Sequence, residues 1–224
     1  MVTSGLVLTA STLRDAGFRH GFSTRPLGDF ALLRAPAGPQ RALAEVVGFD
    51  PARLHQATQV HGAAVVDAAG APDTTREADA LVATAAGDAV GVRVADCVPV
   101  LLADPATGTV AAVHAGWKGV VAGVVGAALA RFADKSRLLA AIGPCIGACC
   151  FEVGSDVAAK IGFVDRTAGD KAFVDLRKAV RRELEGLAAI EDVPGCTKHE
   201  AQRFHSYRRD GDASGRLIGV IVAK

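Results

Sequence analysis

The sequence predicts one domain of mixed strands and helices, built round a sheet that is covered on both faces. Three observations carry this. Val98–Ala103 and Val110–Ala115 are apolar, β-branched runs joined by the turn Asp104-Pro105-Ala106-Thr107-Gly108. Neither run alternates with polar residues, so both faces of the pair are buried. After His114 the period changes: Trp117, Val120, Val121, Val124, Val125, Ala128, Leu129 and Phe132 step along one face of a helix that would pack on the sheet. Finally, half of the 224 residues are hydrophobic and only 5% aromatic, which supplies a large core of Ala, Val and Leu with no seam dividing the chain.

The remaining elements follow in order. Residues 5–8 and 18–22 read as short strands, and Phe22-Ser23-Thr24-Arg25 leads into a Pro/Gly-rich loop. Arg25 there is either a solvated loop residue or an anion contact. A short helix runs from Pro39 to Val47 with proline at its start, and Gly48-Phe49-Asp50-Pro51 ends it. His55 and His61 precede a strand over Ala63–Asp67, and His61 stands beside Gly62, where backbone and ligand can approach closely. Beyond a polar loop at 70–78 come strands Ala80–Ala83, entered through Asp79, and Ala89–Val94, which feeds into Asp96-Cys97. The helix after His114 begins at Lys118 and Gly119 and would aim free N–H groups at Cys97 and His114, although Gly123 and Gly126 lower its propensity. Leu138–Ile142 is another strand. Cys145, Cys149 and Cys150 have no C-x-x-C spacing and read as small buried thiols. Helices over 154–161 and 175–187, a polar segment from Cys196 to Asp210 holding His199 and His205, and a final strand Leu217–Val222 complete the chain.

Composition excludes several classes. A formal charge of +1 gives no electrostatic reason to expect nucleic acid or an anionic membrane as partner. No run approaches the roughly 18–20 apolar residues that span a bilayer. The first eleven residues lack a basic residue before their short apolar run, which makes a poor signal peptide. Five cysteines are an odd count, two of them adjacent, so the expectation is a reduced, cytoplasmic protein whose thiols are core residues or ligands.

His61, Cys97 and His114 offer one thiolate and two imidazoles, donors that zinc prefers. Three protein ligands leave a fourth position for water or substrate, the arrangement of a catalytic zinc. Their separations are far longer than those of a zinc finger, so a shared site depends on the fold. The same donors suit blue copper, but Met1 is the only methionine, no His-x-His pair exists and six histidines are too few for a four-copper oxidase. Ligand supply therefore argues against copper. The reading without metal is a Cys/His hydrolase, with Cys97 as nucleophile and His114 as its base.

Several blocks of the chain together resemble a known family. They are Phe22-Ser23-Thr24-Arg25, Gln59-Val60-His61-Gly62, Ala78-Asp79-Ala80-Leu81-Val82, Ala95-Asp96-Cys97 with Pro99–Asp104, and Val113–Gly119. Gly143-Pro144-Cys145-Ile146, Phe151-Glu152-Val153-Gly154 and Arg203–Arg209 continue the series in the same order. The resemblance is to the bacterial laccase-domain family, once called polyphenol oxidases and later assigned purine nucleoside phosphorylase and adenosine deaminase activities. It spans nearly the whole chain, 1–224 as one domain. It implies an α+β fold of mixed sheets packed face to face with helices outside, related to cysteine hydrolases. It also implies one zinc on His61, Cys97 and His114, phosphorolysis of adenosine, inosine, guanosine or methylthioadenosine, and deamination of adenosine. Some relatives are linked instead to editing of peptidoglycan precursors, an amidase-like task. A non-catalytic metal-binding module is the third reading. The chain departs from the family pattern in a short loop after Arg25 and in the segment 196–202.

The resemblance gives the other candidates their roles. Cys97 and His114 lie at the reacting centre, and Asp96 is either its acid/base group or a partner that orients a histidine. Arg25, Lys118 and Arg208 are the candidates to bind phosphate. The sequence leaves the oligomeric state open.

Overall fold

Val98–Ala103 and Val110–Ala115 pair antiparallel, with Leu101 opposite Ala112, at the centre of a six-stranded sheet. The computed structural model describes residues 5–32 and 37–224. Apart from short 3-10 turns, the chain runs β1 (Val7–Leu8), α1 (Ser11–Asp15), β2 (His20–Ser23), α2 (Ala37–Val47), β3 (Leu54–His55), β4 (Val65–Asp67), β5 (Ala80–Ala83) and β6 (Ala89–Val94). It continues through β7 (Val98–Ala103), β8 (Val110–Ala115), α3 (Trp117–Val121), α4 (Val124–Leu129), β9 (Leu139–Ile142), β10 (Glu152–Gly154) and α5 (Ser155–Ile161). Then follow β11 (Val164–Ala168), β12 (Lys171–Val174), α6 (Leu176–Glu183), β13 (Ala189–Asp192), α7 (Tyr207–Asp210) and β14 (Leu217–Val222).

The six-stranded sheet, ordered β13-β9-β7-β8-β5-β4, is antiparallel at its centre and parallel at both edges. A five-stranded sheet, ordered β1-β2-β14-β6-β3, is antiparallel except where β3 runs beside β6. Side chains alternate across each strand, so every central strand feeds two interfaces. Leu101, Ala103, Val110 and Ala112 meet Phe22, Val90, Val92 and Ile221 between the two sheets. Val100, Leu102, Ala111 and Val113 turn the other way, onto Val124, Val125 and Ala128 of α4 and Val180 of α6. Beyond the five-stranded sheet, Ile218 and Val220 pack on Leu43, Ala44 and Val47 of α2. The fold is the α+β arrangement that the resemblance implies: mixed sheets face to face, with helices outside.

The structure corrects the reading in four places. The helix after His114 is two short helices, because Gly123 takes a left-handed conformation (φ +82°) between them. A five-residue α3 carries little dipole, so the expected focus of N–H groups on Cys97 and His114 is weak. A small antiparallel sheet, β10-β12-β11, stands where the sequence offered no pattern, since β11 is exposed along its whole length. Helix 175–187 is shorter, and its tail gives way to β13, another strand with no alternation. Last, Cys145 and Cys150 are buried as expected but Cys149 is exposed; all five cysteines are free thiols. Residues 33–36 of the loop after Arg25, and the first four of the chain, lie outside the described residues. Among the described residues no helix is long and apolar enough to cross a membrane.

Candidate active site

Strand register builds the centre of the site. Pro99 pairs with His114 across β7 and β8, and Cys97 shares the parity of Pro99, so Cys97 and His114 reach the same end and the same face of the hairpin. On the other side of β8, Ala80 pairs with Val113, which brings Asp79 next to His114; the His114 N–H donates to the Asp79 carbonyl at 2.7 Å. The third member arrives on the loop before β4. Asp79 Oδ2 accepts from the backbone N–H groups of Val60 (3.3 Å) and Gly62 (2.7 Å), and Oδ1 from that of His61 (3.0 Å). One buried carboxylate thus clamps the loop and also accepts a hydrogen bond from His114 Nδ1–H at 2.7 Å.

The ligand atoms of His61, Cys97 and His114 all lie within 4.8 Å of one another, with Cys97 Sγ 3.8 Å from His61 Nε2. The two imidazoles meet edge to face, centroids 4.8 Å apart. With Nδ1 held by Asp79, His114 is left with Nε2 for the trio. Gly116 makes this approach possible: a Cβ there would stand 2.7 Å from His61 Cδ2 and 3.0 Å from Cys97 Sγ. Two of the non-glycine residues with positive φ, His61 (+61°) and Asp96 (+90°), flank the centre, so backbone strain is held there by the surrounding bonds.

The electrostatics couple Cys97, His114 and Asp79 to one another. Burial pushes the Cys97 thiol up, but His114 and then His61 outweigh it and bring it down to about 6. Burial lowers His114, but the Cys97 thiolate and Asp79 raise it to about 9. Burial would likewise raise Asp79, yet its hydrogen bonds to His114, Gly62 and His61 hold it below the usual carboxylate range. A thiolate and two oriented imidazoles form a donor set that could hold a metal ion and leave one position open.

The trio lines a cleft of about 860 Å³, within the usual range for a small-molecule site. Trp117, Phe151 and Tyr207 give it aromatic walls, and Arg93, Arg208 and Arg216 give it positive charge. These guanidiniums are seated on neutral oxygens. Arg93 donates to Gln56 Oε1 and the Ala57 carbonyl, Arg208 to the Glu152 carbonyl, and Arg216 to the Ser214 and Gly215 carbonyls. Those partners do not neutralise the charge; burial, with Arg216 nearby, lowers Arg93 to about 10.

Arg208 therefore lies where the sequence put it, but Arg25 and Lys118 do not line the cleft. Arg25 is exposed and donates to the Ala201 carbonyl at 2.8 Å, and exposed Lys118 sits over the Trp117 ring. Asp96 lines the cleft but orients no histidine: its oxygens accept from Thr197 Oγ1 and the Arg208 N–H, both at 2.6 Å. The orienting carboxylate is Asp79, whose position at the entrance of β5 could have been read once β5 was paired with β8. Arg93 left its own signal, a lone cation within the apolar run Ala89–Val94.

Comparison with known proteins agrees with this picture. The family model described as "Multi-copper polyphenol oxidoreductase laccase" matches residues 37–224. A protein named purine nucleoside phosphorylase from Streptomyces coelicolor is 41% identical over 191 residues, 80% of this chain and 78% of that one. A protein named adenosine deaminase, from an unknown prokaryotic organism, is 39% identical over 163 residues, 65% of this chain and 62% of that one. A crystal structure of a Neisseria meningitidis protein superposes with a TM-score of 0.85 at 30% identity, covering 98% of this chain and 99% of the other. With most of its length matched, this chain belongs to the laccase-like polyphenol oxidoreductase family, whose relatives include proteins named for purine nucleoside phosphorolysis and adenosine deamination.

Proposed function

We propose that the chain is a zinc-dependent purine nucleoside phosphorylase that also deaminates adenosine, with adenosine, inosine, guanosine and methylthioadenosine as substrates. The observation that carries this reading is the pairing, in one cleft, of the His61–Cys97–His114 trio with three guanidiniums seated on neutral oxygens. Named relatives at about 40% identity support the same chemistry.

Zinc on these three residues would supply a Lewis acid and lower the pKa of water to about 7. The chain's own groups do the rest. Asp79 keeps the proton on His114 Nδ1 and holds the His61 loop against it. Arg208 and Arg216, with Arg93 behind, bind phosphate for attack on the ribose C1′ and stabilise the charge around it. Trp117, Phe151 and Tyr207 take the purine and ribose faces and exclude water from them. Asp96, committed to Thr197 and the Arg208 backbone, fixes the segment on which Arg208 and Tyr207 ride; its role is positioning.

The test is product analysis of adenosine incubated with the zinc-loaded protein, with and without phosphate. Adenine with ribose 1-phosphate, or inosine, is expected, and neither should form with Cys97→Ala. If no product forms, the reading is wrong. One observation favours a second reading: Cys97, His114 and Asp79 form a thiol–imidazole–carboxylate chain, the parts of a Cys/His hydrolase acting on an amide such as a peptidoglycan precursor. A chelator separates the two, since a thiol hydrolase keeps its activity without metal. A module that binds metal without catalysis would turn over neither substrate.

A further inference from the structure

Away from the cleft, four soft donors converge on two turns that the sequence keeps far apart. The turn at 148–150 carries Cys149 and Cys150, and the turn at 197–199 follows Cys196 and carries His199. Cys149 Sγ lies 3.6 Å from Cys150 Sγ, 3.7 Å from Cys196 Sγ and 3.4 Å from His199 Nδ1, and all four ligand atoms lie within 4.8 Å of one another. For tetrahedral zinc with Zn–S about 2.3 Å and Zn–N about 2.0–2.1 Å, neighbouring sulfurs stand about 3.8 Å apart, and a sulfur about 3.5 Å from a nitrogen. The three spacings from Cys149 match those of a ligand shell.

Three further features point the same way. A Cβ on Gly147 would stand 3.2 Å from Cys149 Sγ and 3.5 Å from Cys196 Sγ, so the backbone closes on the sulfurs where only glycine fits without displacing them. The Gly147 N–H donates to Cys196 Sγ at 3.3 Å, a bond that favours thiolate over thiol. Three thiolates on a divalent ion leave one net negative charge, and the cations Arg166, Lys198 and Arg209 line the groove beside the cluster along with one carboxylate, Glu152.

We infer that Cys149, Cys150, Cys196 and His199 form a second, structural zinc site, closed by four protein ligands and separate from the His61–Cys97–His114 centre. The donor set is soft enough to select zinc over magnesium or calcium. Its place in the fold explains its use. Cys149 and Cys150 lead into the small sheet β10-β12-β11, which has a fully exposed strand, and Cys196 opens the polar segment that ends at α7. An ion there would tie the small sheet to the polar segment, adding folding energy to the core contacts of Cys150, Phe151, Ala172 and Val174. Thr197, next to Cys196, donates to Asp96, so the cross-link also braces the wall of the cleft.

The experiment is metal counting on the full chain, purified with reductant from zinc-supplemented medium. Elemental mass spectrometry should find two zinc ions per chain in the wild type and one in Cys196→Ser/His199→Ala. Cobalt(II) replacement identifies the ligands. In Cys97→Ala/Cys145→Ala every remaining thiolate-to-cobalt charge-transfer band must come from this cluster, and in Cys97→Ala itself a strong tetrahedral spectrum is expected. Should Cys196→Ser/His199→Ala fail to fold, the Cys97→Ala spectrum decides alone, and His199→Cys should retain the metal. One zinc in the wild type with no thiolate band in cobalt-loaded Cys97→Ala overturns the inference. So does a Cys149–Cys196 disulfide in the zinc-loaded protein, read by peptide mass spectrometry without reduction. Metal count and spectrum do not depend on nucleoside turnover, so a failure of the proposed activity leaves this test intact.

Discussion

His61, Cys97 and His114 are placed by strand register and one buried carboxylate, at the end of the two central strands. Cys149, Cys150, Cys196 and His199 are placed by two turns outside the main sheets, with Cys150 buried and Cys149 exposed. The first group has three donors and faces a cleft; the second has four and faces a shallow groove. On the two readings proposed above, the same residue types would serve opposite ends. Where the scaffold already fixes the ligands, a coordination position can be left open for substrate, and where it does not, every position is used to hold the chain together.

The sharpest way to break this comparison is to remove one cysteine from each cluster. Cys97→Ala should lower adenosine turnover by about 10³-fold or more, as expected for loss of a catalytic group, with little change in melting temperature. Cys150→Ser should do the reverse, lowering the melting temperature by several degrees at a cost of about 2–4 kcal/mol for a lost structural ion and its buried ligand. If calorimetry and steady-state rates show equal effects from both changes, the division of labour fails.

Asp79→Asn sharpens the first half. The carboxylate that orients His114 is lost while the side chain keeps its size, so zinc affinity at the trio should fall about 10–100-fold. Competition with a chromophoric chelator reads this, and the four-ligand cluster should be unmoved. Arg216→Ala then tests the cleft: the KM for phosphate should rise about 10–100-fold, as for loss of a charged hydrogen-bonding partner, while phosphate-independent deamination stays within a few-fold.

Arg137→Ala is the control for stability alone, with the smallest effect. The Arg137 hydrogen bonds hold buried Asp104 at about 2, below its ordinary 3.8, at the turn end of the β7–β8 hairpin, away from Cys97 and His114. A depressed carboxylate stabilises the fold fully above the unfolded value and loses that contribution as pH falls through about 2. The variant should therefore be slightly less stable at pH 7, a small effect because Arg137 is partly solvated. The gap should close below about pH 2 in denaturant titrations.

The central sheet was legible because its runs are long, apolar and punctuated by turn residues; three of its strands, and β6 of the five-stranded sheet, end where the patterning ends. β11 and β13 were not, because strands with exposed or half-buried faces carry no alternation. The trio was nameable from residue type, but its assembly needed the register that sets Asp79 beside His114. The second cluster was hidden more deeply. Cys149-Cys150 and Cys196 to His199 are 46 residues apart at their nearest, and spacing along the chain says nothing about two turns that meet only after β9 and β13 have paired. Arg25 and Lys118 stand outside the cleft, Arg25 on the Ala201 carbonyl and Lys118 over the Trp117 ring, as a cation near a motif is usually solvated.

The Asp79 clamp on the His61 loop has a kinetic consequence. Cys97 and His114 stand at the end of a ladder that opens only when the core does, whereas His61 is carried by a loop held at Val60, His61 and Gly62 by one carboxylate and just before them by the bonds of Thr58 and Gln59 to Arg76, Ala78 and Arg93. An ion leaving the trio would therefore detach from His61 first, then exchange from a two-coordinate state on an intact scaffold. Metal loading and loss would be fast, local and reversible, on the timescale of a loop and not of refolding.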